Sequence, residues 1–223
     1  PMHCVALGSA NRLISGDIYG RAAQMLGPET MLLLTNGACG DLNPPEEGVP
    51  VEIVDSYAAR LADALGSHPI PQHPASFLSV QSRSVLLEYE TMDEREILAY
   101  AERVRPNEWA RREWPDKFEP AVDQWTANRL RELREGTQPK VAEIELQTIR
   151  LGDTVWIAVN AEIFSEMVPE GVTVVAYANG LAGYIPTESA FDEGGYEVEL
   201  ACLFYDALPF RRGAGRDLTR ALA

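Results

Sequence analysis

The spacing of apolar positions changes several times along this chain, and each change marks an element. Residues 2–8 (MHCVALG) set Met2, Val5 and Leu7 among small residues and predict a buried strand. Ser15-Gly16-Asp17 then precedes a helical pattern that runs to Leu26, with Ser15 or Asp17 placed to cap it. The apolar run at 30–35 (TMLLLT) predicts a short buried strand, and NGACGDLNPPEEG (36–48) a long turn-rich loop. Over 51–65, Val54, Tyr57, Ala58, Leu61 and Leu65 fall on one helical face. GSHPIPQHP (66–74) is a Pro-broken connector, and 76–88 a strand of mixed pattern. From about 92 to 135 the chain reads as charged helix carrying Trp109, Trp114 and Trp125, broken by Pro106, Pro115 and Pro120. VAEIELQTIRLGDTVWIAVN (141–160) predicts two strands joined at Gly152-Asp153, and GVTVVAYANG (171–180) a strand entering a Gly-rich turn. Strands alternating with helices predict an α/β or α+β layered domain, with mixed sheets flanked by helices and the segment 92–135 as a helical flank.

Composition narrows the function classes. The 223 residues are 46% hydrophobic, enough for a sizeable core. The net charge of −15 argues against nucleic-acid partners, which need clustered positive charge. No apolar run approaches the roughly 18 residues of a membrane span. Cys4, Cys39 and Cys202 are odd in number and lack CxxC spacing. That speaks against a disulfide framework or a cysteine zinc site, and favours a reducing compartment such as the cytoplasm. The chain begins at Pro1 on residues already patterned as a strand, so it is expected to continue a longer polypeptide.

Three separated patches carry the candidate chemistry: MHCVALGSANRLISGD (2–17), TNGACGDLNP (35–44), and NAEIFSE (160–166) with YANGLAGYIPT (177–187). They offer His3, Asp41 with Asn43, Glu162 and Tyr184, each able to meet a metal or a reacting oxygen. Each also has a structural reading. His3 suits a core histidine and Glu162 a first-turn acid. Tyr184 suits a turn tyrosine over glycines, and Asp41-Asn43 an Asx-turn before Pro44. Glycines at 37 and 40 would also let backbone N–H groups approach an oxyanion.

Taken in order, these patches resemble the catalytic domain of the neutral/alkaline non-lysosomal ceramidase family, over most of the chain. His3 followed by LISGD (13–17) is similar to a family zinc histidine and the element after it. Glu162 in AEIFSEM matches a zinc glutamate, Tyr184 in the span Asn179–Thr187 matches a zinc tyrosine, and Tyr196-Glu197 matches a further active-site tyrosine. The resemblance implies Zn²⁺ held by His3, Glu162, Tyr184 and one histidine from an upstream segment of the polypeptide. It implies hydrolysis of an N-acyl amide of the sphingolipid kind by metal-activated water, with Tyr196 and Asn43 steadying the oxyanion and Asp41 orienting a ligand or the loop. The chain would be the C-terminal part of that domain. There are two departures. The family's essential loop serine is replaced by Asn43 in GDLNP, and the chain is expected to lack the family's immunoglobulin-like C-terminal domain. Both point to a smaller or more soluble amide than ceramide, and leave two alternatives: a non-catalytic metal-binding pseudoenzyme, or a zinc esterase or deacylase on the same scaffold.

Overall fold

The computed structural model describes residues 1–29, 33–67 and 77–223. Its centre is an antiparallel meander, β1 (Leu78–Glu88), β2 (Val141–Leu151) and β3 (Thr154–Val159), extended by a strand parallel to β3. Leu151 faces Thr154 across the ladder, so Gly152-Asp153 forms the whole turn, with Gly152 in the left-handed region at φ +58°. Such two-residue turns match the strand twist best when the first residue tolerates positive φ. Along β2, Ala142, Ile144 and Leu146 point inward, and the alternate positions Val141 and Glu143 face solvent.

Past β3 the chain makes a second, smaller sheet: β4 (Glu162–Ile163) runs parallel to β6 (Tyr184–Ile185), with β5 (Thr173–Val175) completing the first sheet beside β3. The fold is therefore mixed α/β, with sheets flanked by helices. The main core joins both sheets through Leu87, Ile144, Leu146, Val159, Ile163 and Ile185. Helix α9 (Ala214–Leu222) closes it. A Cβ on Gly215 would lie 2.3 Å from the Pro186 carbonyl oxygen, so only glycine lets α9 press onto the end of β6.

The segment 92–135 folds as α3 (Glu94–Val104), α4 (Glu108–Glu113) and α5 (Phe118–Glu135). Asp93 and Glu96 form a reciprocal capping box on α3, and Asn107 caps α4. Pro120 sits inside the first turn of α5, where a missing N–H has no helical partner to lose. These helices share a second core with α7 (Tyr196–Glu199) and α8 (Ala201–Phe204), built on Trp125, Phe118, Val122, Ile97, Leu200 and Leu208. The short α6 (Glu188–Glu193) is capped by Thr187.

Three expectations change. Residues 2–8 form no strand; they run as a loop that turns at Ala6-Leu7, and most of their backbone donors are taken elsewhere. His3 N–H donates to Leu42 O at 2.8 Å, and the buried Asp17 carboxylate accepts from Ala6 N–H and Leu7 N–H at 3.3 and 2.9 Å. With its donors satisfied by a loop and a side chain, the segment has no need of a sheet partner. Asp17 also accepts from Ile18 N–H at the start of α1 (Asp17–Met25), and Ser15 Oγ accepts from Asp17 N–H. Helix α2 (Val51–Ser67) buries Val54, Ala58 and Ala62 against α1 and leaves Leu65 exposed, so its buried stripe is narrower than the spacing implies. The expected strand at 30–35 falls partly outside the described residues, and its described part, 33–35, is not a strand; His68 and His73 of the connector also lie outside them.

Candidate metal centre

The pairing of β4 with β6 places Glu162 directly opposite Tyr184. Glu162 is 3% exposed, and its carboxylate is surrounded by donors. His3 Nε2 lies 2.6 Å from Oε1, and Tyr205 at the end of α8 donates to Oε2 at 2.9 Å. The Tyr184 hydroxyl stands 3.2 Å from the same His3 nitrogen. On the other side of the ring, His3 Nδ1 lies 3.2 Å from Leu42 O. A carbonyl only accepts, so Nδ1 carries the proton there and Nε2 faces the carboxylate. A histidine anchored through one N–H to a backbone carbonyl, with the other nitrogen turned to a carboxylate, has the usual bearing of a metal ligand.

The loop 36–44 brings in a further donor. Gly40 N–H donates to Ile163 O at 2.9 Å, and a Cβ on Gly40 would meet that oxygen at 3.1 Å. This close approach sets Cys39 beside the centre. Its Sγ, a His3 ring nitrogen and a Glu162 oxygen all lie within 4.8 Å of one another. Imidazole, carboxylate, phenol and thiol are all donors that zinc accepts, so the residues present fit such an ion.

Burial and charge set the protonation states. The hydrogen bond to Glu162 holds His3 above its usual 6.5, against the downward pull of burial. Burial pushes the Glu162 carboxyl up, but hydrogen bonds from His3, Tyr184, Tyr177 and Tyr205 outweigh it and leave the group below 4.5. Burial, followed by the Glu162 charge, drives Tyr184 and Tyr205 far up, and Tyr196 to about 12. Burial, then Glu162, also raises Glu197.

A pH dependence follows for the metal-free protein. The raised His3 contributes stability that is full below about 6.5 and is lost as pH rises through its folded-state value. The lowered Glu162 contributes stability present above about 4.5 and lost as pH falls through its folded-state value. The Tm difference between wild type and His3→Gln is therefore largest between about pH 4.5 and 6.5, measured by thermal unfolding in chelator. A difference that fails to shrink on the alkaline side would contradict the pairing.

The remaining sequence candidates lie around this centre in different ways. Asp41 accepts from Ser165 N–H and Ser165 Oγ, both at 2.6 Å, and so clamps the loop to the turn after β4. Asn43 is exposed on the same loop, one residue beyond Leu42. Tyr196 packs its ring edge-on to Tyr184 with centroids 5.7 Å apart, backed by Trp114 and Phe204. Four nearby residues were not singled out from the sequence: Cys39, Tyr177, Tyr205 and Glu197 as an acid in its own right. Cys39 and Tyr177 sit inside the quoted patches and could have been found there; Tyr205 carries no local signal.

No protein-family model matches this sequence, and no curated protein sequence matches it. Among solved structures, the chain is similar to the neutral ceramidase from Pseudomonas aeruginosa, with a TM-score of 0.58 and 14% identity. The match covers 100% of this chain and 42% of that one, so the chain spans less than half the length of that enzyme. At this identity the similarity concerns the fold alone: a ceramidase-like fold in which a histidine, a cysteine and a glutamate able to bind a metal are gathered at one point.

Proposed function

We propose that this chain belongs to a zinc-dependent hydrolase of the ceramidase kind, which cleaves an N-acyl amide. The observation that carries the reading is the convergence of His3 Nε2, the Glu162 carboxylate and the Tyr184 hydroxyl at hydrogen-bond distances, in a fold similar to a ceramidase. In this reading His3, Glu162 and Tyr184 hold the ion, with a further histidine supplied by an upstream segment. Zinc bound there would supply a water whose pKa is lowered to about 7.

The chain's own residues account for the rest. Tyr196, with its pKa pushed up to about 12, keeps its proton at neutral pH and can donate to a carbonyl oxygen as negative charge develops on it. The exposed Asn43 amide offers a second donor from the loop side. Losing one such donor lowers turnover by ~10²–10³. Asp41 acts through position, because its clamp on Ser165 sets where the loop lies against β4.

A second reading is a metal-binding protein without turnover, favoured by Asn43, whose amide cannot act as a nucleophile as serine does. A zinc esterase is the third. Turnover of matched N-acyl amides and acyl esters by zinc-loaded and chelator-stripped protein separates them. The expected result is amide cleavage that is lost on stripping and restored by zinc. Zinc retention with neither substrate cleaved supports the second reading, and ester cleavage alone the third.

A further inference from the structure

We propose that Cys39 is itself a zinc ligand of this centre, so that sulfur joins nitrogen and oxygen in holding the ion. The inference rests on the reading that the centre takes zinc. Its basis is the three-donor group His3, Cys39 and Glu162, whose ligating atoms all lie within 4.8 Å of one another.

The surroundings of the sulfur point the same way. Asn36 Nδ2–H donates to Cys39 Sγ at 3.1 Å, while Asn36 Oδ1 accepts from Met2 N–H at 3.4 Å, which fixes the amide with its N–H groups toward the sulfur. The Tyr177 hydroxyl lies 3.2 Å from Sγ on another side. The Asn36 N–H₂ aimed at this sulfur and the Tyr177 oxygen beside it hold Sγ in place, and polar groups around a ligand atom orient and tune it for a metal. Cys39 is 0% exposed, so a substrate carbonyl has no path to it as a nucleophile, whereas a ligand needs no such path. When zinc binds, a Zn–S bond forms and the thiol proton passes to solvent; no oxidant or reductant is involved. The other two thiols are engaged elsewhere. Cys4 Sγ turns to Gly16 O and Asp17, and Cys202 lies beside Tyr100 in the helical core.

X-ray absorption at the zinc edge on the zinc-loaded full chain tests this. The expected spectrum shows a sulfur neighbour at about 2.3 Å together with nitrogen and oxygen at about 2.0–2.1 Å. Cys39→Ser loses the sulfur neighbour and Cys4→Ser keeps it; if Cys39→Ser fails to fold, the wild-type spectrum and Cys4→Ser decide. Bound zinc with nitrogen and oxygen neighbours alone overturns the role of Cys39 while leaving the centre intact. A wild-type polypeptide that includes the upstream histidine and still takes up no zinc overturns both the ligand and the reading it rests on.

Discussion

Replacing Glu162 with glutamine is expected to lower zinc affinity by more than about 100-fold, beyond the 10–100-fold typical of losing a supporting partner. The side chain keeps its volume but loses its charge, and it turns an N–H₂ toward donors that need an acceptor. His3 Nε2 and the Tyr205 hydroxyl both face this carboxylate, and the group is nearly sealed from water. Glu162→Ala removes the acceptor altogether and leaves His3 Nε2 and the Tyr205 hydroxyl facing a buried gap. Breaking one partner of a buried pair in this way costs about 3–5 kcal/mol of stability. Zinc per chain after dialysis, with denaturant unfolding in chelator, reads both effects. Unchanged zinc content in Glu162→Gln would remove the central assumption of the proposed function.

The second large effect is expected far from any ligand. Trp125 is 0% exposed, packs on Tyr100 with ring centroids 5.1 Å apart, and donates Nε1–H to Ala207 O at 2.6 Å. Trp125→Ala opens a cavity and orphans that carbonyl, for a loss of about 3–5 kcal/mol and a Tm drop on the order of 10 °C. The consequence for the centre is indirect. The core around Trp125 also holds Leu203 and Leu208, which bracket Tyr205, and Tyr196 packs against the same core. Loosening that core frees Tyr205 from Glu162 and weakens the hold on zinc. Trp125→Phe, which keeps most of the packing, should recover much of the Tm. An alanine variant with wild-type Tm would show that this flank does not support the fold.

Much of the architecture was legible in the sequence because it is local. The Gly152-Asp153 hairpin depends on two residues and the alternation beside them. The helices α1, α2, α3 and α5 depend on periodicity, helped by the capping box at the start of α3 and the left-handed Gly136 at the end of α5. The mixed α/β class follows from the alternation of such segments. Where local pattern failed, a distant partner had intervened. Residues 2–8 carry the apolar spacing of a strand, but Asp17 and Leu42 take their backbone donors first.

The candidate centre divides along the same line. The chemical types of His3, Glu162 and Tyr184, and the short motifs around them, stand in the sequence as written. Their meeting does not: His3 and Glu162 are 159 residues apart, and contact requires the β4–β6 register and the Leu42 anchor together. The spacing of Cys39 fits no cysteine zinc motif, yet the close approach of Gly40 to Ile163 carries its sulfur to the other donors. Tyr205 reaches Glu162 only because the helical core docks α8 beside the small sheet. The sequence alone determined which elements form and which side chains are able to bind a metal. Only the tertiary structure decided which of them converge, because convergence depends on long-range strand register and loop packing that no local periodicity encodes.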